Sequence, residues 1–141
     1  MEENIESKGC VIVIDEALPA GVAANAAAII GITLGRRFPE AVGADVADGD
    51  GILHSGIIRI PVPVLRANTE TLRSLREKAL ASGGAVCAAD FSDVAQHCRT
   101  YAEYTEKASK AATRDFSYLA LGLFGPRKEI KKLTGSLPLL R

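Results

Sequence analysis

Short apolar runs alternate with helix-spaced apolar residues along this 141-residue chain. The first run, "CVIVI" (10–14), is rich in β-branched residues and predicts a central strand buried on both faces. Pro19 and Gly21 break it. The small-residue stretch that follows predicts a helix from Ala20 to Leu34, closed by Gly35 as a left-handed cap. "FPEAVGADVADGDGILHSG" reads as connection, with Asp-Gly pairs that favour a tight hairpin into Ile52–His54.

"GIIRIPVPVL" (56–65) is strand-like but carries Pro61 and Pro63. Prolines two apart remove donors from one side of a strand, which predicts an edge strand with its donorless side outward. Leu72, Leu75, Ala79 and Leu80 have helical spacing, predicting a helix over 69–82 with Thr69 at its N-terminus. Gly83–Gly84 ends it, and "AVCAAD" (85–90) is the next buried strand. A single helix is expected over 94–111, a last strand over 116–124, and a short helix over 125–135 that Gly135 closes. The alternation of strand and helix argues one three-layer α/β domain with a mostly parallel sheet over residues 8–141, with residues 1–7 a frayed tail.

Composition narrows the function classes. Lys plus Arg and Asp plus Glu number 17 each, so no global field favours nucleic acid or an anionic membrane. The cysteines Cys10, Cys87 and Cys98 are odd in number and form no C-x-x-C pair. That pattern suits a reducing compartment, and the chain is expected to be cytoplasmic, with no membrane partner. No apolar stretch is long enough for a span.

Candidate chemistry centres on the strand ends. The Gly21–Asn25 corner could offer free N–H groups to an anion, or simply let a small-residue helix lie close on the sheet. It lacks the Gly-rich fingerprints of nucleotide sites. Asp15 and Asp90 each end a buried strand, where open α/β sheets place their sites. Two carboxylates there suit acid–base work, or cap turns. His97 and Cys98 are adjacent on a helix and do not face one another. "DVADGDG" lacks calcium-loop spacing, so no metal and no cofactor is expected. Arg127, Lys128, Lys131 and Lys132, with Arg36 and Arg37, form either a phosphate-facing patch or a solvated face. No aromatics interleave them to stack bases, which leaves nucleic acid weakly supported as a partner.

The C-terminal stretch "ALGLFGPRKEIKKLTGSLPLL" resembles the closing segment of type II peptidyl-tRNA hydrolases. Gly125, Pro126, Ile130, Lys132, Leu133, Thr134, Gly135, Leu137 and Leu139 match that family's pattern in order. Gly21, Ala23, Ala24 and Asn25 are similar to its first helix, Gly-Lys-x-Ala-Ala-Gln-x-x-His. "LRANTETLRSLREKALASGGAVCAAD" is similar to the helix and strand leading to its active aspartate, here Asp90. The resemblance implies that fold, a three-layer α/β/α sandwich around a four-stranded mixed sheet, with the last strand, 116–124, antiparallel to the others. The whole chain looks closer still to a bacterial family of unknown function sharing the fold, whose stretches resemble "DEALPAGVAANAAA", "YAEYT" and "GPRKEIKKLTGSLPLLR". Departures from the hydrolase pattern are chemical. Val22 stands at its lysine, Asn25 at its glutamine, Ala28 at its histidine, and "FSDVAQ" replaces the segment after its aspartate. Val22 cannot donate to an ester carbonyl or a phosphate.

The expected function is therefore binding of a small ligand or partner at the corner formed by Asp15, Gly21, Asn25 and Asp90, with Lys128 as a further ligand-binding residue. A hydrolase of peptidyl-tRNA or a related acyl ester, with Asp90 as its catalytic group, is the second reading. A structural homodimer built on the apolar "ITLG" and "LPLL" stretches is the third.

Overall fold

The structure, a computed structural model, describes residues 4–141. A four-stranded sheet has the order β4-β1-β6-β5, from β4 (Val64–Ala67), β1 (Lys8–Asp15), β6 (Tyr118–Pro126) and β5 (Cys87–Ser92). β1 runs parallel to β4, and β6 is antiparallel to both β1 and β5. β1 and β6 are interior, which is why both read as unbroken apolar runs. Ile12 lies opposite Gly122 on β6 and beside Val64 on β4.

Helices cover both faces. On one, α1 (Ala20–Arg37) sets Ala23, Ala26, Ile30 and Leu34 against Cys10, Ile12, Ile14, Phe91 and Phe124. On the other, α2 (Thr69–Ala81) and α5 (Arg127–Thr134) pack Leu72, Leu75, Ala79 and Ile130 against Val11, Val13, Leu121 and Leu123. Each fully buried aliphatic side chain stabilises by about 1.5–3 kcal/mol. Ile14, Ile30, Leu72, Leu121 and Leu123 are all fully buried, so both layers contribute.

Several boundaries differ from the sequence reading. α1 continues through Gly35, which is not left-handed, to Arg37. Pro39 stops it, because a residue before proline is pushed out of the helical region, and Phe38 sits at φ −126°, ψ 63°. α2 is capped by Asn68, whose side chain accepts the Thr71 N–H at 2.8 Å, and not by Thr69. The single helix expected over 94–111 is two: α3 (Asp93–Gln96) and α4 (Tyr101–Lys110). Thr100 restarts the chain by accepting the Glu103 N–H at 3.1 Å, while the Glu103 carboxylate accepts the Arg99 N–H at 2.8 Å. The tail also differs. Ile5–Ser7 form a 3-10 turn with Ile5 buried, whereas residues 1–3 lie outside the described residues.

The proline segment carries the most instructive correction. β4 is an edge of the sheet, as expected, but begins only after Pro63. The Pro63 carbonyl accepts the Ile12 N–H, so the side of the strand that carries the prolines faces β1, not outward. A missing donor there ends the ladder. The outer side of β4 is instead occupied by the C-terminal segment. Arg66 N–H donates to the Pro138 carbonyl at 3.0 Å, and Leu140 N–H donates to the Val64 carbonyl at 2.9 Å.

Between α1 and β4 the chain projects a two-stranded ribbon, β2 (Val46–Ala47) paired antiparallel with β3 (Leu53–His54). Asp48 organises its turn by accepting N–H groups from Asp50 and Ile52, and its Oδ2 lies 2.9 Å from His54 Nε2. These bonds, the His54 contact foremost, hold the Asp48 carboxyl below its ordinary range. No described helix is long and apolar enough to cross a membrane.

Candidate functional site

The five residues nominated from the sequence do not converge. Asp15 ends β1 and its Oδ1 accepts the Ala17 N–H at 3.0 Å, so it organises the turn into α1. Gly21 and Asn25 are exposed on α1, on one face of the sheet. A Cβ at Gly21 would meet nothing within 4 Å, so no backbone approach requires glycine there. Asp90 points to the other face, where it pairs with Arg76 of α2. β6 separates the Asp15 and Asp90 strands, placing them two strand spacings apart, roughly 10 Å. Lys128 is exposed on α5, which starts where Pro126 pairs with Lys8, at the opposite end of β1 from Asp15.

What the fold gathers instead is a polar cluster around Asp90. Arg76 Nε donates to Asp90 Oδ2 at 3.1 Å, the two side chains being 29% and 22% exposed. Arg76 follows the inward-facing Leu75 on α2, and its head reaches Asp90. Asp90 lies within β5 and does not end it as the sequence suggested, because the strand continues through Phe91 and Ser92 paired with β6. Among the described residues, no hydrogen bond engages the Arg76 Nη groups or Asp90 Oδ1.

A bulge shapes the rest. Between Phe91 and Ser92 the register with β6 shifts, so that Phe91 faces Ala120 and Ser92 faces Tyr118. The extra residue, Leu119, returns Tyr118 to the α2 side of the sheet. Asp93 secures the bulge: its N–H donates to the Ser117 carbonyl, and its Oδ1 accepts the Ser117 N–H at 3.0 Å. Ser92 is fully buried, and among the described residues its hydroxyl has no hydrogen-bond partner.

Tyr118 and Tyr104 complete the electrostatic surroundings. Burial, and then the Asp90 charge, raise both phenols above their ordinary value, while Arg76 and Arg73 oppose the effect at Tyr118. Both hydroxyls therefore stay protonated at neutral pH and available as donors. Cys98, half-buried near Tyr104, donates its thiol to the Val94 carbonyl at 3.1 Å. Cys10 is no nucleophile: burial pushes its thiol up to about 11.

The cluster is rich in donors, with the Asp90 carboxylate as its acceptor. That chemistry suits an oxyanion. Sequence reasoning reached Asp90 and missed Arg76, Ser92, Tyr104 and Tyr118. Strand alternation alone links Ser92 to Asp90, but Arg76 and Tyr118 require the helix-to-strand and strand-to-strand registers.

A cleft of about 750 Å³ opens elsewhere, at the end of the sheet where Lys8 pairs with Pro126. The stacked rings of Phe38 and Phe124, 4.0 Å apart, line it with Lys8, Glu40 and Arg59. None of the nominated site residues lines that cleft. No group of three or more His, Cys, Asp or Glu side chains that could hold a metal occurs among the described residues.

Comparison with known proteins supports the architecture. The fold is similar to the solved structure of Atu0240, a protein of unknown function from Agrobacterium tumefaciens strain C58. The likeness has a TM-score of 0.85 and 16% sequence identity, and covers 94% of this chain and 97% of that one. No curated protein matches the sequence. Across residues 8–141 the sequence matches the profile of the DUF2000 proteins, and the chain belongs to that family of unknown function.

Proposed function

We propose that this chain is a cytoplasmic binding protein on a fold similar to that of the type II peptidyl-tRNA hydrolases, without their activity. Its ligand is a small molecule bearing a carboxylate or phosphate, held at the Arg76–Asp90 pair on the α2 face of the sheet. One observation carries the reading: Arg76 contacts Asp90 through Nε alone, which leaves its Nη groups for a second oxyanion. An Arg fork held by packing and a carboxylate is preorganised for bidentate recognition. Asp90 Oδ1 remains to accept a hydrogen bond from the same ligand. Val22 and Ala28, where the resemblance calls for lysine and histidine, are the grounds for denying hydrolysis.

A ligand that binds only the folded chain raises its melting temperature by mass action. Citrate and inorganic phosphate are suitable probes. Either is expected to raise the melting temperature of the native chain but not of Arg76→Met, with Arg76→Lys intermediate. No shift with either probe rejects the site. In parallel, purified protein is expected to release no tRNA from peptidyl-tRNA above background. Cleavage that Asp90→Asn abolishes at unchanged melting temperature would establish the hydrolase instead.

A further inference from the structure

The β2–β3 ribbon carries exposed apolar side chains on both faces and buries none of its strand residues. Val46 lies opposite His54, and Ala47 opposite Leu53, so each cross-strand pair presents to one face of the ribbon. All four strand residues are exposed. Val46 is 62%, Ile52 61% and Leu53 67% exposed, and Ile57 at the ribbon's base is 80% exposed. A lone two-stranded ribbon is marginal in water, and apolar residues gathered on an exposed arm mark an interaction surface.

A matching surface lies on the same chain. Ala24, Ala28, Ile32 and Arg36 form one i,i+4 row on the outward side of α1 and are all exposed. Ile32, at 76% exposure, is the largest apolar side chain in that row. The only charges of α1 are Arg36 and Arg37, and neither makes an ion pair among the described residues. The segment 38–58 is the reverse: it carries Glu40, Asp45, Asp48 and Asp50, and no Lys or Arg. One unpartnered surface is apolar with acids, the other apolar with bases.

We propose that the ribbon is an arm that grips α1 of a second copy of this chain, each copy's arm lying on the other's helix. Such a contact is isologous, so arm and helix are each buried twice across the two-fold axis. A standard interface buries ~800 Å² on each copy, so burying two patches per copy, arm and helix, halves the area each must supply. The acids around the ribbon turn meet Arg36 and Arg37 at the rim, which fixes orientation. The "LPLL" stretch, nominated from the sequence as a partner face, is engaged on β4 of its own chain through Pro138 and Leu140. Of the "ITLG" stretch, Ile32 is exposed, whereas Leu34 is core.

Sedimentation of the full chain across the micromolar range tests the arrangement. The native chain is expected to be a dimer. An arm variant, Ile52→Gln/Leu53→Gln, and a helix variant, Ala28→Gln/Ile32→Gln, are each expected to raise the dissociation constant about tenfold or more. Unchanged far-UV circular dichroism would show that these exposed changes leave the fold intact. Mixing the two variants restores one intact arm-on-helix contact, so the mixture is expected to associate more tightly than either alone. A native chain that stays monomeric, leaving the arm to some other protein, overturns the proposal. So does a dimer that either variant leaves unchanged, or a mixture no tighter than its components.

Discussion

Gly122 and Gly21 show how differently one residue type can be used. A Cβ at Gly122 would lie 2.4 Å from Ile30 Cγ2 and 2.8 Å from Leu34 Cδ1, because α1 crosses β6 at that point. Gly122→Ala is therefore expected to destabilise by about 1–3 kcal/mol, as overpacked cores do, visible as a lower melting temperature. Gly21 has open space around it, and Gly21→Ala is expected to be neutral or stabilising by up to about 1 kcal/mol in the same measurement. The sequence drew attention to the wrong glycine. Gly21 follows a strand and opens a helix, a visible local pattern, whereas the contact that needs Gly122 comes from residues distant in the chain. Asp90 drew attention for the converse reason, a carboxylate closing a local apolar run, although β5 continues past it to Ser92 and its partner Arg76 is distant in the chain.

Element identities followed from periodicity, and their ends followed from chemistry that is harder to weigh. The split between α3 and α4 had a visible cue in Thr100-x-x-Glu103, a capping pattern inside a segment free of Gly and Pro. The edge position of β4 was equally readable from Pro61 and Pro63. Which side of the strand lost its donors was not, because that depends on register. The C-terminal segment covers the side that would otherwise present unpaired donors and acceptors. A chain ending at Leu137 is expected to lose the Arg66–Pro138 and Leu140–Val64 backbone bonds, at a cost of about 1–3 kcal/mol. Chemical denaturation would register the loss, and light scattering the association of the bared edge.

For the whole molecule, the α/β class was available from the order of apolar runs, whereas the antiparallel last strand came only from the resemblance and the spatial order β4-β1-β6-β5 from neither. Periodicity says that a strand is interior without saying what lies beside it. The sheet's centre is β1 with β6, in a register that sets Lys8 against Pro126. β1 and β5 share no hydrogen-bonded edge and are joined only through β6. A fragment ending at residue 115, just before the last strand, is expected to show no cooperative unfolding transition by circular dichroism, although it contains three of the four strands.

The same placement bears on how the protein is made. A ribosome delivers residues in order, at about 5–20 per second, and domains generally fold as units while they emerge. Here β1 comes early and β6 among the last, so β1 must wait through most of translation for its principal neighbour. Meanwhile "CVIVI", an apolar segment with high strand propensity, keeps one edge unpaired even after β4 has been made, open to association with other chains. Sheets closed by such distant pairings are also intrinsically slow to form. For this chain, a strand that needs protection from misassembly during synthesis is the consequence of putting the last-made strand at the heart of the sheet.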